Sequence, residues 1–377
     1  GRFAQQNDTR ERIVTPLVRK DGGLKAATWA EALDVISNRL RPLAGVSGSG
    51  IAALASTRLP AEALSAFKQI FADKLRSDMV TSVVEGSYTA ASSQLANETG
   101  RPFEGKLSDL ATADLVVLFN ADVTKLHEVA SFFIKRNLQS GANMIVIDRE
   151  ANELDRWGIR VKASRGSEAD VLSALAAAKA GSVLDSYEQK TGIPAGKLAL
   201  VAELLRDAQS PVFVYGKGID SDNLKALVDL ARQSGAKVLG TKGAANSFTS
   251  ALLGLEKPFQ VNGHQAVYLA LGDDEPSQRL IQKVAGAPFL AVQSSYASQI
   301  TAQADVVLPV EMWAEQEGTY INLDGHIQAA TKALTPAPDV RSNAAALEAL
   351  AGCLGVEVSS DWREQICQRV PSAALEG

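Results

Sequence analysis

The chain has 377 residues, of which 46% are hydrophobic and 21% charged, and its formal net charge is −5. This length exceeds a usual single domain, so we expect two or more α/β cores in a soluble globular protein. The acidic balance argues against a nucleic-acid surface. No apolar run approaches the roughly 18 residues of a membrane helix, and the opening segment GRFAQQNDTR has no secretory signal pattern.

The first part of the sequence predicts an extended segment followed by helix, strand and helix. Residues 1–24 read as extended, with turn signals at Pro16 and at Asp21-Gly22-Gly23. Thr28 predicts the N-cap of an amphipathic helix over residues 29–40. A strand is predicted over residues 51–55, and Pro60 predicts the start of a helix through residue 75.

The same order of strand, polar residues and helix repeats along the rest of the chain. Strands are predicted over residues 115–119, 144–147, 212–215, 268–271, 289–292 and 306–308, and helices over residues 126–139, 171–179, 197–208, 223–234 and 276–285. Continuous apolar runs are expected of strands buried on both faces. The alternation predicts α/β domains with doubly wound, mainly parallel sheets, whose strand ends lie on one edge of each sheet.

Several predicted strands end in residues that suit a nucleotide-like ligand. The segments Asn120-Ala-Asp122, Asp148-Arg149 and Gly272-Asp-Asp274 each place an acid where it could accept a ribose or base hydrogen bond. Gly216-Lys-Gly218 resembles part of a dinucleotide loop but lacks the third glycine of GxGxxG. For each segment alone, a helix cap or a tight turn is the better explanation, and it is their number in one chain that favours a nucleotide-like ligand.

The segment Ala302–Gln328 is the most polar stretch that follows a predicted strand. After the strand and Pro309 it reads as a long loop that contains Glu311, Glu315 and Glu317. Such a loop is either a polar surface loop or a ligand-binding loop at a strand's carboxyl end. The sequence contains no GxSxG elbow, no Walker A loop and no HExxH helix, so its residues alone name no reaction.

Cysteine and histidine are too sparse to predict a metal centre. Cys353 and Cys367 are 14 residues apart, whereas zinc and iron–sulfur sites need about four clustered ligands. We interpret both as structural or bystander thiols in a reducing cytoplasm. The histidines at positions 127, 264 and 326 share no metal-ligand spacing.

Three segments together resemble the molybdopterin oxidoreductases, which include the formate dehydrogenase alpha subunits. The opening TPLVRKDGGLKAATWAEALDVI resembles the run after that family's last cluster-binding cysteine. Residues 111–149 resemble a second family stretch, with His127-Glu128-Val129 in the place of His-Pro-Val. The most specific match joins ADVVLP at residues 304–309 to EQEGTYINLDGHIQ at residues 315–328.

The resemblance implies two doubly wound, mainly parallel-sheet α/β domains of the formate dehydrogenase type, one of them discontinuous. In that family these domains hold the two pterin-guanine dinucleotide arms of a molybdenum or tungsten cofactor. We predict a discontinuous domain over residues 1–80 and 261–340 and an inserted domain over residues 81–260. Residues 341–377 are predicted to form a helical C-terminal tail.

The resemblance also implies which residues would contact the cofactor. These positions are Asn120, Asp148, Arg149, Gly216, Gly272, Asp273, Gln293, Glu317, Gly318 and Asn322. No catalytic residue and no metal ligand is predicted. No cofactor is firmly predicted either, and molybdopterin guanine dinucleotide is the candidate that the resemblance offers.

The departures from the family pattern concern the metal. The metal-ligating cysteine or selenocysteine of the family falls near Val83, and no cysteine precedes Cys353. Ser82 or Ser87 would be a substitute ligand, and the partner histidine of the formate enzymes falls near Tyr88. The expected pterin loop is reduced to TKGAAN at residues 241–246, and any [4Fe–4S] centre is expected only upstream of this chain.

These losses resemble the large G subunit of the NADH-quinone oxidoreductases (complex I), whose C-terminal region keeps the fold without the metal cofactor. The first hypothesis is therefore a non-catalytic scaffold that supports upstream iron–sulfur electron transfer from NADH to quinone. Its partners would be other subunits of a respiratory or redox complex. They would place it in the cytoplasm or at the cytoplasmic or matrix side of the inner membrane, without nucleic acid or direct membrane insertion.

Two alternative functions remain open at this point. One is an active molybdenum or tungsten bis-pterin oxidoreductase of the formate dehydrogenase type. The other is a nucleotide-binding module that uses the old pterin site.

Overall fold

The structure is a computed structural model that describes residues 9–48, 50–83, 104–164, 166–216, 219–241, 245–259, 263–371 and 375. The chain forms two compact units. The first unit consists of residues 1–86, 244–321 and 327–369, and the second of residues 87–243, 322–326 and 370–377. The domain boundaries expected from the sequence, near residues 80, 260 and 340, stay a prediction.

The described strands and helices alternate along the chain. The strands are β1 (Leu17–Lys20), β2 (Gly23–Ala26), β3 (Ile51–Ala55), β4 (Met79–Ser82), β5 (Leu115–Phe119), β6 (Asn143–Asp148), β7 (Ile159–Lys162), β8 (Pro211–Tyr215), β9 (Lys237–Gly240), β10 (Ala266–Gly272), β11 (Leu290–Ser294), β12 (Val306–Pro309), β13 (Gly318–Ile321) and β14 (Ile327–Ala330). The α-helices are Trp29–Leu40, Ala61–Lys68, Leu107–Leu110, Val123–Leu126, Glu128–Gln139, Glu168–Lys179, Asp185–Thr191, Ala195–Asp207, Ser221–Gln233, Ser247–Leu252, Gln278–Val284, Gln299–Gln303, Asn343–Leu354 and Trp362–Arg369. None of these helices combines the length and the apolar character needed to cross a membrane.

The sheet of the first unit has the strand order β2-β1-β12-β11-β10-β3-β4. The five strands from β12 to β4 are parallel, and β1 pairs antiparallel with β12. The chain goes from β3 outward to β4 on one side and from β10 through β11 to β12 on the other. The carboxyl ends of β3 and β10 therefore lie at the point where the strand order reverses, where open α/β sheets usually bind ligands.

The sheet of the second unit has the order β7-β6-β5-β8-β9, and all its strands are parallel. Alternate residues of β5 enter two different cores. Leu115, Val117 and Phe119 pack in one core, while Val116 and Leu118 pack in the other. A strand that is buried on both faces cannot show polar alternation, which is why β5 reads as the continuous apolar run LVVLF. The reversal of strand order lies between β5 and β8.

Truncation of a core side chain of the second unit should lower its stability strongly. Ile145 on β6 is fully buried, so Ile145→Ala removes buried methyl groups and leaves a cavity. We expect a loss of about 2–4 kcal/mol in the free energy of unfolding, measured by urea denaturation. Val183→Ala is the control, because Val183 is 78% exposed and should change stability by less than about 0.5 kcal/mol. Equal stability of the two variants would contradict the prediction.

The sequence predicted most of these elements, and the α/β class with parallel sheets is confirmed. The helix Trp29–Leu40 and strands β3 and β5 have the predicted bounds, and Thr28 caps the helix by accepting the N–H of Glu31. Strands β4, β7 and β9, which have four residues each, were not predicted. The reading of residues 310–328 as one long loop was wrong, since β13 and β14 form an antiparallel hairpin there.

Candidate functional site

In the second unit, the structure brings Asn120 and Gly216 together at the ends of the neighbouring strands β5 and β8. Asn120 has a positive φ of 47°, and its N–H donates to the carbonyl of Ile147 at 2.9 Å. The N–H of Gly216 donates to the carbonyl of Phe119 at 3.1 Å. A Cβ on Gly216 would lie 2.0 Å from the carbonyl oxygen of Asn120. Only glycine fits there, and the protein's own backbone imposes that requirement.

Asp148 lies on the same edge, at the end of β6, the strand next to β5. It is half-buried, and its Oδ1 accepts the N–H of Glu150 at 3.2 Å. Burial raises the pKa of Asp148 above its ordinary value, and repulsion from Asp122 and Asp155 adds to this effect. Asp148 is therefore a carboxylate that gains from an additional hydrogen-bond donor.

Arg149 follows Asp148, but the protein already binds its side chain. Its guanidinium donates to the carboxylate of Glu168. The other oxygen of Glu168 accepts the N–H of Gly166 at 2.7 Å. Arg149 thus holds the start of the helix Glu168–Lys179 against the end of β6.

In the first unit, Gly272 ends β10 and Asp273 follows it, next to the residues after β3. Arg58 forms a two-point ion pair with Asp273, with Nε 3.1 Å from Oδ1 and Nη2 3.2 Å from Oδ2. The N–H of Trp313 also donates to Oδ2 of Asp273, at 3.2 Å. The side chain of Asp273 is only 10% exposed, against 43% for that of Arg58. Asp273 is therefore covered by donors from the chain itself.

Gln293 on β11 is fully buried and is bonded at both ends of its amide. Its Oε1 accepts the hydroxyl of Tyr268 at 3.0 Å, and its Nε2 donates to Oδ1 of Asn343 at 2.7 Å. The Nδ2 of Asn343 then donates to Oε1 of Gln316 at 2.6 Å. A Cβ on Gly272 would lie 3.5 Å from the same Nδ2 atom, so Gly272 and Gln293 share Asn343 as a neighbour.

Gly318 is held close to the start of the helix Ala61–Lys68. Its φ is 141°, and a Cβ there would lie 2.5 Å from Cβ of Pro60. Next to it, the N–H of Thr319 donates to Oε2 of Glu62 at 3.0 Å, and the Thr319 hydroxyl donates to Oε1 at 2.5 Å. Strand β13 is thus fastened by a carboxylate from the helix.

Asn246 fastens the same strand from another side. Its Nδ2 donates to the carbonyls of Leu59 at 2.9 Å and Thr319 at 3.2 Å. Its Oδ1 accepts the N–H of Ile321 at 3.0 Å and the hydroxyl of Thr249 at 2.5 Å. Sequence reasoning missed this role, because its signal is only an asparagine at φ 60° in a shortened loop.

The side chain of Glu317 is mostly exposed, and that of Asn322 is used within its own turn. The side chain of Glu317 is 66% exposed and lies 3.7 Å from Nζ of Lys332. Asn322 starts the turn between β13 and β14, where its Oδ1 accepts the N–H groups of Asp324 and His326, each at 2.9 Å. These contacts are typical of an asparagine that shapes a turn.

Glu311 is the most unusual carboxylate of the strand-end segment after β12. The residue is 2% exposed, and its Oε1 accepts Nζ of Lys332 at 2.7 Å, while its Oε2 is buried without a hydrogen-bond partner. Burial raises the pKa of Glu311, which the bond to Lys332 opposes and the neighbours Glu317 and Glu315 reinforce. Glu315 is itself paired with Arg12 at 2.6 Å.

The expected metal region is only partly described. Ser82, at the end of β4, is buried, and its Oγ has no hydrogen-bond partner. Ser87, Tyr88, Lys217 and Gly218 lie outside the described residues. Within the described ranges, no group of three or more His, Cys, Asp or Glu side chains is placed to hold a metal ion.

Comparison with known proteins decides the family. The family model for molybdopterin oxidoreductases matches residues 12–352. The chain belongs to the molybdopterin oxidoreductase family. It is 23% identical to the G subunit of the NADH-quinone oxidoreductase of Rickettsia felis over 98% of this chain and 51% of that protein. It is also 22% identical to a putative formate dehydrogenase of Bacillus subtilis, over 92% of this chain and 44% of that protein.

The fold agrees with this family. Acetylene hydratase from Pelobacter acetylenicus superimposes with a TM-score of 0.69 over 97% of this chain and 64% of that chain, at 14% sequence identity. The chain spans about half the length of the curated relatives named above. It is a molybdopterin-oxidoreductase-like domain related to the G subunit of complex I.

The residues at the family's cofactor positions in the first unit are largely engaged by the chain itself. Asp273 and Gln293 already have internal hydrogen-bond partners. A Cβ added to Gly272 would lie 2.9 Å from Cδ2 of Leu59. A Cβ added to Gly318 would lie 2.5 Å from Cβ of Pro60. In the first unit, these cofactor positions are thus engaged or crowded by the chain's own residues.

Proposed function

We propose that this chain is a non-catalytic scaffold domain of a redox protein that resembles the G subunit of complex I. The observation that supports it most is the internal bonding of Asp273 and Gln293, two cofactor positions of the family. A carboxylate and an amide that are already hydrogen-bonded gain little from a ligand, because displacing their partners offsets the new bonds. Val83, in the place of the metal-ligating cysteine, supports the same proposal.

In this role the domain would support iron–sulfur clusters on residues upstream of the sequence. Electrons would pass through those clusters from NADH toward quinone. The chain would contribute a stable surface for the cluster-bearing segment and for other subunits of the complex, and its membrane association would come through those partners. The names of the relatives, subunits of NADH-quinone oxidoreductases, support this assignment.

Metal analysis of the purified protein tests the proposal against the active-enzyme alternative. We expect no stoichiometric molybdenum or tungsten by mass spectrometry, and no pterin fluorescence after denaturation and oxidation. One molybdenum or tungsten per chain together with pterin would overturn the scaffold proposal. That outcome would support an oxidoreductase of the formate dehydrogenase type.

A substitution in the hairpin gives a second test. Glu317→Gln removes a charge that is 66% exposed and only 3.7 Å from a lysine. In a scaffold, this change should leave the electron-transfer rate of the assembled complex within about twofold of the wild type, because Glu317 then takes part in no reaction step and the loss of an exposed ion pair has little effect on stability. The measurement is NADH-to-quinone turnover at matched complex content. A tenfold loss in a fully assembled complex would indicate a direct role for Glu317 in the reaction.

One observation favours a second candidate function, a nucleotide-binding module in the second unit. Numbered in chain order within this unit, the strands β7-β6-β5-β8-β9 have the order 3-2-1-4-5. Asp148 ends the second strand, where dinucleotide-binding folds place the acid that binds ribose. Nucleotide that is released on denaturation, and is lost in Asp148→Asn, would support this function. Protein that releases no nucleotide would exclude it.

A further inference from the structure

The ion pair of Arg58 and Asp273 has the geometry of base recognition. The two nitrogens of Arg58 donate side by side to the two oxygens of Asp273, at 3.1 and 3.2 Å. The Watson–Crick edge of guanine also presents two parallel N–H donors, from N1 and N2, so a carboxylate can bind either group in the same two-point manner. Adenine presents one donor and one acceptor there, and its acceptor would face a carboxylate oxygen.

The position of the pair is that of a ligand site. Arg58 follows β3 and Asp273 follows β10, so the pair lies at the reversal of strand order of the first unit. Ligands of open α/β sheets bind at this point. Asp273 is also one of the positions at which the family would contact its pterin-guanine dinucleotide.

The surrounding contacts hold Arg58 in this place. The N–H of Arg58 donates to Oγ of Ser56 at 3.1 Å, and Oγ of Ser56 donates to Asp274 at 2.7 Å. The hydroxyl of Tyr320 donates to the carbonyl of Arg58 at 3.4 Å. Burial is the largest single influence and lowers the pKa of Arg58, but the charge and hydrogen bond of Asp273 together with the charges of Asp274 and Tyr320 outweigh burial and raise this pKa. The guanidinium therefore stays charged and paired with Asp273.

We propose that Arg58 is an internal substitute for guanine: its guanidinium occupies the guanine-recognition carboxylate of Asp273 and closes the first unit to guanine nucleotides. This inference rests on the proposed scaffold function and identifies the residue that replaces the ligand. An ordinary surface ion pair predicts no relation to guanine. If Arg58 instead blocks a guanine site at Asp273, removal of Arg58 should create selective guanine binding.

Calorimetric titration of the 377-residue chain with GMP and AMP tests the proposal. We expect Arg58→Ala to bind GMP about tenfold more tightly than the wild type and about tenfold more tightly than it binds AMP, a difference of about 1.4 kcal/mol. The double variant Arg58→Ala/Asp273→Asn should return to the wild-type level, because an amide cannot accept both N–H groups. Arg363→Ala is the control for the loss of one exposed arginine from the same unit.

Circular dichroism and thermal unfolding show whether each variant is folded. If Arg58→Ala does not fold, Arg58→Gln keeps a donor for Asp273 and should show a smaller gain in GMP affinity in the same direction. A folded variant without this gain would overturn the proposal. So would GMP binding by the wild type that is lost in Asp273→Asn.

The two proposals fail separately. Molybdenum or tungsten with pterin in the purified protein would overturn the scaffold function. GMP binding by the metal-free wild type through Asp273 would overturn only the role of Arg58.

Discussion

Replacing Lys332 by methionine should destabilise the protein by about 2–3 kcal/mol at neutral pH. The change leaves the carboxylate of Glu311, which is 2% exposed, without the ammonium group that lies 2.7 Å from it. Breaking a buried pair by removing one partner costs about 3–5 kcal/mol. We expect the lower end or less, because the side chain of Lys332 is 34% exposed and water screens the pair.

The loss should depend on pH in a defined direction. Without Lys332, the pKa of Glu311, already raised by burial, should rise further. A carboxyl group whose pKa is raised in the folded state stabilises the fold below its unfolded pKa, about 4.3, and this stability is lost as pH rises through the folded pKa. The loss in free energy of unfolding caused by Lys332→Met should therefore be largest near pH 8 and shrink as the pH falls toward 5.

Urea unfolding followed by tryptophan fluorescence measures this effect. Trp29, Trp313 and Trp362 all belong to the first unit. The double variant Glu311→Gln/Lys332→Met removes both charges and should recover most of the lost stability, with little dependence on pH. A single variant as stable as the wild type at pH 8, or a deficit that is constant from pH 5 to 8, would contradict the role of this pair.

Gly216→Ala should destabilise the second unit by about 3 kcal/mol. The added Cβ would lie 2.0 Å from the carbonyl oxygen of Asn120 and 2.8 Å from Cα of Ala121. Both atoms belong to the backbone at the end of β5, so no side-chain rotation relieves the contact. The ends of β5 and β8 must separate, which strains the hydrogen bond between Gly216 and Phe119.

Thermal unfolding followed by circular dichroism gives the comparison. Gly196→Ala is the matched control, because Gly196 lies in the helix Ala195–Asp207 and an added Cβ would meet no atom within 4 Å. Alanine is the better helix former, so the control should be unchanged or more stable by up to about 1 kcal/mol. If Gly216→Ala melts at the wild-type temperature, the close approach of the two strand ends does not constrain this position.

The sequence predicted the parts of the fold that depend on local pattern. The run Leu115–Phe119 is apolar because both faces of β5 are buried, and its length of only five residues favours a strand over a buried helix. Thr28 and Glu31 are three residues apart, the spacing of an N-cap contact, and they form it. The hairpin β13–β14 was missed, because its strands GTYI and IQAA have only four residues each and are mostly only partly buried, and β13 is held by contacts from Glu62 and Asn246, which are distant in sequence.

The candidate site was predicted less completely than the fold. The sequence identified Asn120, Asp148 and Gly216 at strand ends, and the structure places them on one edge of a sheet. Arg58 and Lys332 were not predicted. An arginine after a strand and a lysine in a polar segment have no distinguishing pattern until their carboxylate partners are known.

By itself, the sequence determined the family and the α/β class, because these follow from local periodicity and from a long specific motif at residues 304–328. Only the tertiary structure decided how the cofactor positions are used. Arg58 and Asp273 are 215 residues apart in the chain, and Glu62 and Thr319 are 257 apart. The Arg58–Asp273 contact arises because strand order brings the carboxyl ends of β3 and β10 together, and no local pattern encodes strand order. Asp273 and Gln293, which indicate a cofactor site through the family resemblance, are bonded to the protein itself.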